Sequence, residues 1–71
     1  MKTHSKYKLL ILTRQDDSIV NDVHYRTLSD VRAAVEDFFY TNGEPNLRNI
    51  SYYYQALMWS DEDNDYIGIY I

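Results

Sequence analysis

The sequence has no cysteine, one proline and two glycines among its 71 residues. Without cysteine it carries no disulfide framework, thiol nucleophile or thiolate metal site. So little proline and glycine argues against a disordered linker or a low-complexity tract. Long apolar runs are also missing. The longest, Leu9–Leu12, falls far short of the ~20 residues that a membrane span requires. No signal-peptide core follows the N-terminal lysine, so a cytoplasmic location is the expectation. Glycine-rich phosphate loops and zinc-ligand spacings do not occur.

Aromatic and acidic residues are abundant by contrast. Eight tyrosines and one tryptophan accompany eleven carboxylates and seven Lys or Arg, for a net charge of −4. The charge is polarised along the chain. Residues 1–14 carry +4, residues 15–47 carry −5 and residues 48–71 carry −3. Such polarity bears on partners and solubility rather than on fold. A length of 71 residues fits one small domain, with Met1–Ser5 read as a mobile tail because nothing apolar anchors it.

The pattern predicts an α+β fold of order ββαββ, a four-stranded antiparallel sheet with one helix on one face. Lys6–Arg14 reads as a central strand, since its apolar middle serves both faces. Gln15–Ser18 has turn chemistry. Ile19–Arg26 follows as an edge strand, with a bulge expected near Asn21-Asp22. Thr27–Thr41 reads as a helix: Thr27 caps it, and Leu28, Val31, Ala34, Val35, Phe38 and Phe39 form its apolar stripe. Asn42-Gly43 is expected to supply a left-handed stop, with Pro45 preventing continuation. Ile50–Trp59 fits a strand better than a helix because of its consecutive tyrosines. Ser60–Asn64 then forms a turn into a last strand, Asp65–Ile71. There Ile67, Ile69 and Ile71 alternate with Tyr66, Gly68 and Tyr70.

Two features could suggest chemistry. Asp61, Asp63 and Asp65 alternate as in a calcium loop, but Tyr66 stands where the EF-hand needs its sixth-position glycine, and the twelfth-position glutamate is missing. A solvated hairpin tip that could meet a basic surface is the expected role. His24 and Asp22 lie two residues apart on one strand face, as a base and its orienting carboxylate would. No serine or second histidine stands in a recognisable relation to them, so a surface histidine is the simpler reading. Asn49-Ile50-Ser51 matches a glycosylation acceptor without the secretory signal that would make it usable. The chain is therefore read as no enzyme, with no metal and no cofactor.

The tyrosines are too many for so small an interior, because a buried hydroxyl needs a partner. Some are expected on the uncovered sheet face, and exposed Tyr and Trp are favoured interface anchors. The expected partner-binding set is Tyr53, Trp59, Tyr66 and Tyr70, with Asp61, Glu62, Asp63 and Asp65 facing Lys or Arg. Such a surface suits a larger protein that is basic because it handles nucleic acid. Direct nucleic-acid binding through Lys2, Lys6, Lys8 and Arg14 with the tyrosine face is the first alternative, disfavoured by phosphate repulsion. Self-association, as a homodimer or assembly protein, is the second, because so small a core leaves little stability in reserve.

In size, charge and element order the chain resembles small phage-encoded inhibitors such as anti-CRISPR proteins. The resemblance carries no shared motif and transfers no functional residue. It implies binding and blocking without catalysis, in the host cytoplasm, against a nuclease or another nucleoprotein complex.

Overall fold

The computed structural model describes residues 5–71, so Lys2, His4 and most of the expected tail lie outside the described residues. Six strands, one α-helix and one 3-10 turn follow in order: β1 (Tyr7–Thr13), β2 (Ile19–Tyr25), α1 (Leu28–Phe39), β3 (Tyr40–Thr41), β4 (Glu44–Pro45), the turn Leu47–Asn49, β5 (Tyr52–Ser60) and β6 (Asp65–Ile69). The main sheet is antiparallel with spatial order β2-β1-β5-β6. The α+β class, the helix and the four-stranded antiparallel sheet match expectation. The ββαββ order holds only loosely, because β3 and β4 form a small separate sheet.

Strand β1 is central because it is apolar on both sides. Leu9 and Ile11 point one way and Leu12 the other, and all three are buried. Strand β2 is an edge, and the register shift between Ile11 and Leu12 leaves Val20 without a counterpart. That shift is the expected bulge.

Helix α1 starts where the sequence says it should. Thr27 is extended, and its hydroxyl accepts from the Asp30 amide at 3.1 Å. Val31 and Val35 then fall on the face that packs against Leu9 and Ala56 of the sheet. Tyr7, Tyr25, Ala34, Phe39, Ile69 and Ile71 close around this cluster.

The helix ends differently from expectation. Tyr40, not Asn42-Gly43, closes it, in an extended conformation with its amide on the Glu36 carbonyl. Asn42 and Gly43 do adopt positive φ, 54° and 82°, but as the two-residue turn between β3 and β4. Two successive positive φ values are what a tight hairpin turn of the primed type demands, so the dipeptide is a hairpin signal here. Pro45 accordingly sits in β4 rather than beyond a helix cap. Thr41, expected in the helix, pairs with Glu44.

Strand β5 matches the strand reading of Ile50–Trp59, although Ile50, which caps the 3-10 turn, and Ser51 both precede the strand. The turn to β6 spans 61–64 and is closed by Asn64 at φ 52°. Ser60 belongs to β5, and β6 stops at Ile69, two residues before the expected end.

Candidate functional site

Alternation along the strands fixes which side chains share the face that α1 leaves uncovered. Lys8, Leu10 and Leu12 come from β1, His24 and Asp22 from β2, Tyr53, Gln55, Leu57 and Trp59 from β5, and Tyr66 and Gly68 from β6. Tyr53, Tyr66 and Tyr70 are the tyrosines expected on this face; Tyr53 and Tyr66 lie on it, whereas Tyr70 lies outside the sheet because β6 stops at Ile69. The two on the face are not free rings, however, and both are half-buried.

Tyr66 lies across the face from one edge strand towards the other. Its hydroxyl donates to the Ser5 carbonyl at 2.9 Å and sits 3.1 Å from Nδ1 of His24. A phenol has one proton, so with that proton on Ser5 the imidazole Nδ1 is the donor to the Tyr66 oxygen. The ring is hemmed in as well. Lys8 Nζ stands 4.8 Å above its centroid, Trp59 meets it edge-on at 5.2 Å and His24 at 5.6 Å. Ser5, expected in a mobile tail, is thus tied to the sheet.

Asp22 does not orient His24. It pairs with Lys8 at 3.8 Å, and the imidazole turns to Tyr66. The two residues share a face as their spacing implies, yet the base-and-carboxylate pairing is not formed.

Tyr53 makes the second strap. It stands opposite Leu12, and its hydroxyl donates to Asp17 Oδ1 in the β1–β2 turn at 2.7 Å. That bond stabilises the protonated phenol, and the adjacent carboxylate and partial burial act in the same direction. The Tyr53 pKa is therefore raised. In the same turn Thr13 Oγ1 donates to Asp16 Oδ1, and the Ser18 side chain and amide also favour the Asp16 carboxylate, which lowers its pKa. Asp17 adopts φ 60° within this turn, so hydrogen bonds to Asp16 and Asp17 secure a conformation that few non-glycine residues take.

The remaining expected anchors sit at two places. At the β5–β6 turn, Asp61, Glu62, Asp63 and Asp65 are all exposed. Trp59 Nε1 donates to Asp61 at 2.9 Å, Ser60 Oγ donates to Asp63 at 3.0 Å, and the Tyr66 amide donates to Asp65 at 2.7 Å. These bonds order the carboxylates without neutralising them. Tyr70 lies beyond the end of β6 with its ring fully in solvent. The structure therefore brings Trp59, Tyr66 and the four acids together, and leaves Tyr53 and Tyr70 apart from them. Among the described residues, no group of three or more His, Asp or Glu side chains is placed to hold a metal ion. No described helix is long and apolar enough to cross a membrane.

One surface was missed by sequence reasoning. Leu47, Ile50 and Tyr40 are exposed at the far end of the molecule, beside a shallow groove that also involves Phe39, Pro45 and Arg14. Arg14 Nε donates to the Ile50 carbonyl at 3.1 Å and so holds the connection to β5 in place. Leu47 opens the 3-10 turn and Ile50 caps it, and no alternation or helical period marks so short a segment.

Removing only the Tyr66 hydroxyl tests the strap. Tyr66→Phe keeps the ring contacts and loses the bond to Ser5 and the contact with His24. A loss of about 1 kcal/mol of unfolding free energy is expected, together with faster amide exchange at the start of β1. Denaturant titration and hydrogen exchange check both. Unchanged exchange there would mean that Ser5 is held by other means.

No family model, curated protein or solved structure matches this chain.

Proposed function

We propose that this chain is a non-enzymatic binding protein that occupies a basic surface of a larger, nucleic-acid-handling protein, in the manner of the small phage inhibitors. The observation that carries the reading is the β5–β6 turn. Four carboxylates within five residues are exposed at one end of the sheet, ordered by local bonds and backed by the Trp59–Tyr66 ring pair. Exposed charge on a short, braced hairpin is suited to steering and registering a cationic partner. Tyr70, just past the far end of β6 and apart from the acids, supplies a fully exposed aromatic ring as a separate contact point. Trp59 and Tyr66 act beneath the acids as a platform rather than as freely extended anchors.

A second reading, single-stranded nucleic acid on the open face, gains one observation. Lys8 and His24 stand among the rings of that face. The same contacts weigh against it, because Lys8 is paired with Asp22 and Tyr66 is enclosed by Lys8, Trp59 and His24. Base stacking needs an open ring face and unpaired cations. Gel-shift titration with single-stranded DNA and RNA at low salt separates the two readings. The proposal expects no shift at protein concentrations up to about 100 µM, a generous limit for non-specific binding. A shift that Lys8→Ala abolishes would reverse the order of the two.

A further inference from the structure

The two edges of the main sheet are unequal. On β2 the bulge at Val20 breaks the pairing pattern, and Asn21 and Asp22 are exposed beside it. Bulges and charges of this kind blunt an edge. Strand β6 has neither a bulge nor a proline nor a lysine, its one charge, Asp65, sits at its turn end, and it pairs with β5 in unbroken register from Asp65 to Ile69. Its outer row of backbone donors and acceptors is presented to solvent with Ile67 exposed beside it. Two further features lie along the same edge. Gly68 leaves a bare notch on the open face, where a Cβ would come 3.4 Å from the Gln55 amide nitrogen. Tyr70, two residues on, projects wholly into water.

We propose that β6 pairs antiparallel with β6 of a second copy of this chain, about a two-fold axis at Ile69. The occupant follows from the self-complementarity of Ile67-Gly68-Ile69-Tyr70-Ile71. In that register Ile69 meets its own copy, Ile67 meets Ile71, and Gly68 meets Tyr70. The isoleucines then pair on the helix side, where Ile69 and Ile71 already pack at the margin of the core. On the open face each Tyr70 ring covers the other copy's Gly68 notch, a cross-strand aromatic-on-glycine contact that stabilises sheet edges. Both members of every pair direct their backbone groups the same way, as an antiparallel ladder requires. The acidic turns fall at opposite ends of the new ladder, so the strongest like charges stay apart. An alternative axis at Ile67 would require Tyr66 to cover Gly68, and Tyr66 is held by Ser5 and His24. The product is an eight-stranded sheet with both helices on one face, and β6 lengthened through Tyr70 and Ile71.

This inference stands independently of the partner reading, and the two respond oppositely to salt. Each copy carries −4, so added salt screens repulsion and strengthens the dimer, whereas it weakens attraction to a basic partner. Tyr70 belongs to both surfaces, so dimer and partner compete for it.

Sedimentation equilibrium of the full chain tests the pairing. A monomer–dimer equilibrium with Kd on the order of 10–100 µM is expected, as befits a small interface. Ile67→Lys places a charge on the edge and should raise Kd at least about tenfold. Tyr70→Ala, at a site that makes no contribution to the core, should weaken the dimer in the same direction. Val20→Lys on the opposite edge should leave Kd unchanged. A chain that stays monomeric to about 1 mM, far above that range, overturns the proposal. So does a dimer that Val20→Lys breaks and that Ile67→Lys and Tyr70→Ala leave intact.

Discussion

Val31→Asp is expected to unfold the protein at 25 °C. Val31 is fully buried, and the cluster around it consists of Leu9, Val35 and Ala56. Among the described residues no polar or charged side chain is buried, so the new carboxylate would find neither a cation nor a donor. Stranding an ionisable group there costs several kcal/mol, whether it stays charged or takes up a proton. At roughly 0.05–0.15 kcal/mol per residue, a chain of this length has about 4–10 kcal/mol of stability in total. The penalty is therefore comparable with everything the fold has. Far-ultraviolet circular dichroism should show the loss of cooperative melting. Arg32→Asp, one position along and exposed, should change the midpoint by only a few degrees. A cooperative melt in Val31→Asp would mean that α1 does not pack on the sheet as described.

The second large effect concerns the acidic turn. Asp61→Asn, Glu62→Gln, Asp63→Asn and Asp65→Asn together are expected to lower affinity for the proposed basic partner on the order of 10²-fold, mainly through the association rate. Asparagine keeps the acceptor oxygens that Trp59, Ser60 and the Tyr66 amide use, so the turn should retain its form. The combined variant has a net charge of 0, from −4 less four carboxylates. A matched control separates local from global charge. Neutralising the exposed Asp30, Glu36, Asp37 and Glu44 also brings the chain to 0, and this variant should bind nearly as the unaltered chain does. Surface plasmon resonance against the isolated partner measures both. Equal losses in the two variants would show that overall charge, not this hairpin, governs binding.

Much of the fold was legible because short-range rules agreed with one another. Thr27 as a cap, Val31 and Val35 on one helical face, and Leu9–Leu12 apolar on both sides required no knowledge of distant residues. The isoleucines of β6 alternated as a half-covered strand should. Asn42-Gly43 is ambiguous in sequence because positive φ serves both a helix stop and a primed hairpin turn, and only the pairing of Tyr40 with Pro45 decides between them.

The candidate site was less legible, for a different reason. That Tyr53 and Tyr66 share a face follows from alternation. Their use as straps depends on Asp17, Ser5 and His24, which reach them only through the sheet order β2-β1-β5-β6. The tyrosines exceed what the core can hold, but surplus over core volume does not distinguish a ring that braces the sheet from one that meets a partner. Half of the named ring set is spent on holding the open face together. Of that set Tyr70 is the fully exposed ring, because β6 stops at Ile69 and no described residue folds back over it.

On the reading proposed above, a basic protein surface is the ligand. The most direct test of that reading is affinity capture with the tagged full chain from lysate of its cell of origin, with and without nuclease, in parallel with the four-site neutral variant. A discrete protein that survives nuclease, elutes with added salt and is lost with the variant is the expected catch. A catch that vanishes with nuclease, or one that the neutral variant retains in full, would contradict that reading.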